Sequence, residues 1–132
     1  MENKTKENTK KTIAIIAHDG KKAEMVAFLI NNKEILQNYN IVCTGTTGKH
    51  AESAGYKVTK FKSGPLGGDV EIGNLIVKGE VHMVFFFRDP LGLHPHEPDV
   101  QMLVRICDIY NVPLATNLNS AELFAKGLSC EC

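Results

Sequence analysis

Short apolar runs and longer amphipathic stretches alternate along this chain from Thr12 onward. TIAIIA (12–17) is apolar and β-branched without a polar partner face, the pattern of a strand buried on both sides. In KKAEMVAFLINNKEILQ (21–37), Met25, Phe28, Leu29, Asn32 and Leu36 recur near helical spacing, which predicts one amphipathic helix with a single polar lapse. YNIVC (39–43) reads as a second strand. TGKHAESA (47–54) reads as a short helix closed by Gly55. YKVTKF (56–61) alternates as an edge or half-buried strand does. DVEIGNLIVKG (69–79) sets Ile72, Leu75 and Ile76 on one helical face and ends on Gly79. VHMVFFF (81–87) is the most apolar run and is expected near the middle of the sheet. A helix over 98–110, a strand over 112–117 and a last helix over 120–127, with Ser120 as its N-cap, complete the series.

Five strand–helix units in succession, without a repeat or a Gly/Pro-rich linker, predict an α/β fold. The expected architecture is a doubly wound, Rossmann-like, five-stranded parallel sheet with helices on both faces. Residues 12–132 are read as one domain, and the polar, Lys-rich residues 1–11 as a solvated tail.

Composition narrows the class further. A chain of 132 residues, 43% hydrophobic and 23% charged, has the make-up of a globular domain with a real core. Fifteen basic and fifteen acidic side chains leave no net charge, so no global field draws nucleic acid. No stretch reads as a membrane span or a signal peptide, and the four cysteines suggest no disulfide framework, which together point to the cytoplasm.

The unusual residues fall in the loops that leave the carboxyl ends of the strands, where ligands bind in such sheets. HDGKK, TGTTGKH, SGPLGGD, RDPLGLHPHEPD and TNLNS hold His18, Asp19, Asp69, Asp89, His94, His96, Asp99 and most of the glycines. The loops of the opposite edge are ordinary polar connections. TGTTG (44–48) can present successive backbone N–H groups and three hydroxyls at a helix start, which suits a phosphate dianion. It lacks the lysine and spacing of a Walker loop, and a threonine-rich helix cap is its simpler reading. Lys22, one helical turn after His18 and Asp19, points back toward the same mouth, where it could pair with an anion; taken alone, its simpler reading is a surface lysine. HPHEPD (94–99) has enough imidazole and carboxylate for zinc, but capping of the next helix competes for Asp99. Asp69 would serve as an ordinary first-turn acid. The preceding SGPLGG exceeds what that role requires, and Gly64, Gly67 and Gly68 let backbone approach a ligand closely. A carboxylate so placed beside phosphate-seeking loops suggests proton abstraction from a small phosphorylated molecule.

IAHDGKK, TGTTG, SGPLGGD, FFFRDPL, HPHEPDV and PLATN, in that order and spacing, resemble methylglyoxal synthase over about residues 12–119. A related phosphate loop occurs in regulatory domains of carbamoyl-phosphate synthetase and of a purine-biosynthetic enzyme, but those relatives generally lack the combined aspartates and histidine. The resemblance implies a lyase needing no cofactor and no metal, which converts dihydroxyacetone phosphate to methylglyoxal and inorganic phosphate. It implies Asp69 as principal acid/base, with His96 and Asp99 beside it and Asp89 and Asp19 as further carboxylates of the site. His18, Lys22, Thr44, Gly45, Thr46, Thr47, Ser63 and Gly64 match the positions that bind substrate, largely its phosphate. It also implies a homohexamer regulated by phosphate; from the composition, no nucleic acid or membrane partner is expected. Some relatives carry an arginine in a longer C-terminal segment; the ending KGLSCEC has none, so that contact between subunits is not carried over. A phosphate-sensing domain of the same fold without chemistry is the alternative from another class, and a metal-dependent hydrolase comes third.

Overall fold

A computed structural model describes residues 10–61, 67–92 and 100–130. Five strands, β1 (Thr12–Ala17), β2 (Asn40–Cys43), β3 (Thr59–Lys60), β4 (Met83–Phe87) and β5 (Leu114–Ala115), form one sheet in the order β3-β2-β1-β4-β5. Every pairing is parallel, as the alternation of strand and helix predicts. Centrally placed β1 pairs with both β2 and β4, and the FFF strand, β4, is interior rather than central.

The two faces of β1 feed two cores, which is why its sequence carries no polar alternation. Ile13, Ile15 and Ala17 pack with Phe85 and Phe87 against α1 (Lys22–Asn31), α3 (Gly45–Ser53) and α6 (Leu118–Ser129). Ala14 and Ile16 pack on the other side with Val84 and Phe86 against α4 (Gly68–Val77) and α5 (Val100–Tyr110). Both faces are therefore covered by helices.

Three local details depart from the pattern. The expected helix over 21–37 opens as a 3₁₀ turn at Asp19–Lys21 and breaks at Asn32, leaving α1 and the single turn α2 (Lys33–Leu36). The Asn32 side-chain amide donates to the Phe28 carbonyl at 2.9 Å, and its backbone sits at φ −116°, ψ 23°. An asparagine that bonds back to the carbonyl four residues earlier competes with helix continuation. The last helix begins earlier than Ser120: Asn117 is its N-cap, its side chain accepting the Ser120 N–H at 2.9 Å. The helix after β2 likewise starts at Gly45, two residues before its expected start. Gly55 and Gly79 follow α3 and α4 at φ 93° and 78°, the left-handed terminators expected of them.

Helices leaving β1 and β4 take opposite faces, since α1 packs in the first core and α5 in the second. The neighbours β1 and β4 are thus the topological switch point, and the crevice beyond their carboxyl ends is where this architecture places ligands.

Candidate active site

Among the described residues, the buried polar and charged side chains are His18, Lys22, Thr44, Thr47 and Asp69. All five are candidates from the sequence, and all follow the carboxyl ends of strands or open the helices beyond them. Burying a polar group costs free energy unless its partners are supplied, so their concentration at one sheet edge marks the place where the fold accepts that cost.

His18 extends β1 by one rung, its N–H donating to the Phe87 carbonyl at 3.0 Å. Its ring packs edge-on to Phe86, with centroids 5.2 Å apart. Across the switch point the Asp89 N–H donates to His18 Nδ1 at 2.9 Å. Asp89 opens a turn: its Oδ1 accepts the Leu91 N–H at 3.0 Å, and its carbonyl accepts the Gly92 N–H at 3.2 Å. The other carboxylate oxygen lies over Gly20, where a Cβ would displace it. Lys22, on the first turn of α1, reaches back as expected; its Nζ meets Asp19 Oδ1 at 2.8 Å. The lysine is buried and its partner open to solvent, so the surface reading of Lys22 does not hold.

Thr44 caps α3 at φ −71°, ψ 161°, and Gly45, Thr46 and Thr47 form the first turn. Their backbone N–H groups open the helix and have no intrahelical acceptors, the arrangement that favours an anion. The Thr47 hydroxyl is engaged inside the protein. It accepts the Ala17 N–H at 3.2 Å and the Thr44 hydroxyl at 3.2 Å, and donates to the Ala17 carbonyl at 3.4 Å. That hydroxyl ties the phosphate-loop candidate to the end of β1, and leaves its N–H as the group Thr47 offers a ligand. Nothing in the letters TGTTG tells which threonine has this task.

Gly67 caps α4 at φ 98°, a left-handed conformation that an L side chain would strain. Gly68 and Asp69 then form the first turn, and Asp69 Oδ1 accepts the Val70 N–H at 3.0 Å. The first-turn position and the burial of Asp69 coexist. Ser63, Gly64, His96 and Asp99, together with His94 and the zinc reading of HPHEPD, lie outside the described residues.

Cys43, beside Thr44 at the end of β2, is fully buried, and burial first and Glu52 second push its thiol up to about 12. It takes no part in the polar arrangement.

The model of the MGS-like domain family matches residues 24–116 of this chain. A methylglyoxal synthase of Lysinibacillus sphaericus is 56% identical over 117 residues, covering 88% of this chain and 87% of that protein. One from Carboxydothermus hydrogenoformans is 50% identical over 118 residues, covering 89% of this chain and 98% of that protein. The crystal structure of methylglyoxal synthase from Elizabethkingia anophelis superposes with a TM-score of 0.84 at 38% identity, covering 88% of this chain and 77% of that one.

Proposed function

This chain belongs to the family of MGS-like domains, among the methylglyoxal synthases, and from that premise we propose that it is a carbon–oxygen lyase converting dihydroxyacetone phosphate to methylglyoxal and inorganic phosphate. The observation that carries the reading is the confinement of the described buried polar side chains, His18, Lys22, Thr44, Thr47 and Asp69, to the ligand edge of the sheet.

A base removes the weakly acidic proton next to the substrate carbonyl, and Asp69 is assigned that step. The enediolate then expels phosphate as its C–O bond aligns with the π system. His96 is assigned to polarise the carbonyl oxygen without full proton transfer. Asp99 and Asp19 complete the acidic set, with Asp89 beside His18. Backbone N–H groups of Gly45, Thr46 and Thr47, with those of Ser63 and Gly64, hold the phosphate by fixed donors, and His18 and Lys22 add side-chain donors. Such rigid holding favours elimination over isomerisation, because the phosphate cannot swing out of alignment. The reaction as written needs no cofactor. We further assign residues 12–132 to the catalytic domain and 1–11 to a polar extension, and expect a cytoplasmic homohexamer. No helix among the described residues is long and apolar enough to cross a membrane.

The purified protein is tested with dihydroxyacetone phosphate, following phosphate release. Asp69→Asn is expected to lower kcat by about 10²–10⁴-fold, the usual worth of a positioned base, while still binding phosphate analogues. An inactive wild type would overturn the reaction; a fully active Asp69→Asn would overturn the base. Activity that disappears on exhaustive chelation and returns with a divalent metal would favour the hydrolase reading instead.

A further inference from the structure

We propose that Asp89 is a positioning residue: its side chain fixes a turn whose main-chain N–H holds His18 as the Nε2–H tautomer, and it acts on the reaction through His18. The proposal rests on the reading above that His18 donates to the substrate.

The chemistry of the two atoms is unequal. A backbone N–H can only donate, so the His18 Nδ1 it meets at 2.9 Å must offer a lone pair. In a neutral imidazole the proton then resides on Nε2, which is buried at the same edge. One main-chain hydrogen bond thereby decides which nitrogen of His18 is the donor. Its direction depends on the turn that carries it. Asp89-Pro90-Leu91-Gly92 has the residue types a type I turn favours, acid first, proline second and glycine fourth. The Gly92 N–H closes it on the Asp89 carbonyl at 3.2 Å. Asp89 Oδ1 caps Leu91 N–H at 3.0 Å, the bond by which aspartate, asparagine and, more weakly, serine stabilise such turns. An oxygen acceptor suffices for that task, and a negative charge is not required.

Histidine tautomers can be read directly from imidazole ¹⁵N shifts in protein labelled at histidine, with His18→Gln identifying the His18 signals. With the ring neutral, wild type is expected to show a protonated Nε2 and an unprotonated Nδ1. Asp89→Ala is expected to give an averaged, mixed-tautomer pattern and to lower kcat/KM tenfold or more. Asp89→Asn, which keeps the turn and its N–H, is expected to restore the wild-type tautomer pattern and most of what Asp89→Ala loses. Asp89→Ser serves as a second oxygen-bearing variant should the alanine protein fold poorly, with a weaker rescue expected. Three results would overturn the proposal: an Nδ1–H tautomer in wild type, an unchanged tautomer in Asp89→Ala, or an Asp89→Asn protein as impaired as the alanine variant. The last would assign the carboxylate's charge to the chemistry. An inactive wild type would remove the functional reading while the shifts still decide the tautomer.

Discussion

The hydroxyl of Thr47 accepts the N–H of Ala17 across 3.2 Å, although thirty positions separate the two residues. It is the stitch between the central strand and the helix whose open N–H groups are proposed to hold the phosphate. Thr47→Val keeps the shape and removes the acceptor, leaving a buried donor without its partner at a cost of about 1–3 kcal/mol. Chemical denaturation is expected to show that loss, and kinetics a raised KM for the phosphorylated substrate. Thr47→Ser should recover both; equal stability of the valine protein would refute the stitch.

Lys22 holds its ammonium in a buried position against an exposed Asp19 carboxylate. Lys22→Met is expected to raise KM, and the constant for inhibition by phosphate, on the order of ten- to a hundredfold, as expected for one hydrogen bond to a charged group. The effect should fall on KM far more than on kcat. Unchanged phosphate inhibition would place the lysine outside the anion site.

Alkali should destabilise the fold through its buried acids. Burial pushes Cys43 from its ordinary 9 to about 12, Cys107 to about 11 with help from Asp108, and Tyr56 from 10 to about 12. These groups hold their protons more tightly when folded, so their contribution is intact below pH 9. It is lost between 9 and about 12, as the unfolded chain ionises while the folded one resists. The thermal midpoint should fall across that window, and Cys43→Ala with Cys107→Ala should flatten the fall. A midpoint steady to pH 11 would contradict the account. At neutral pH the same two thiols should resist alkylation until the protein is unfolded.

Tyr56 donates its buried hydroxyl to the Leu29 carbonyl at 2.6 Å, fastening the segment after α3 to α1. Tyr56→Phe is expected to cost about 1 kcal/mol of stability, with kcat unaltered because the bond lies away from the carboxyl edge. Urea unfolding alongside a turnover assay checks both halves of that statement.

Much of the fold was legible because its signals are local. TIAIIA and MVFFF, packed on both faces, carry no polar alternation, and glycines 55 and 79 stand where helices must stop. The break at Asn32 was not legible, because asparagine at an apolar-face position reads equally as a lapse in a continuous helix until its amide is seen on the Phe28 carbonyl. Ser120 looked like the natural cap, yet Asn117 has the acceptor and the extended backbone. Within the site, residue type and loop position sufficed to nominate His18, Lys22 and Asp69. What the letters withheld was which contacts form: that Lys22 buries itself against Asp19 rather than lying on the surface, that Thr47 turns its hydroxyl to β1, and that Asp89 addresses His18 by its main chain. Those are properties of contacts between distant segments, which no single stretch encodes.

The His18 N–H that donates to Phe87 is the terminal rung of the ladder joining the two most deeply buried strands. A nominated ligand residue is therefore anchored to the most deeply buried pair of strands. Its amide should exchange with deuterium almost as slowly as those of Ile15 and Phe85, on the timescale of global unfolding rather than of loop motion. Local breathing at this edge is then expected from the segment that carries Asp69, while the strand ends beneath His18 and the Thr47 stitch stay closed.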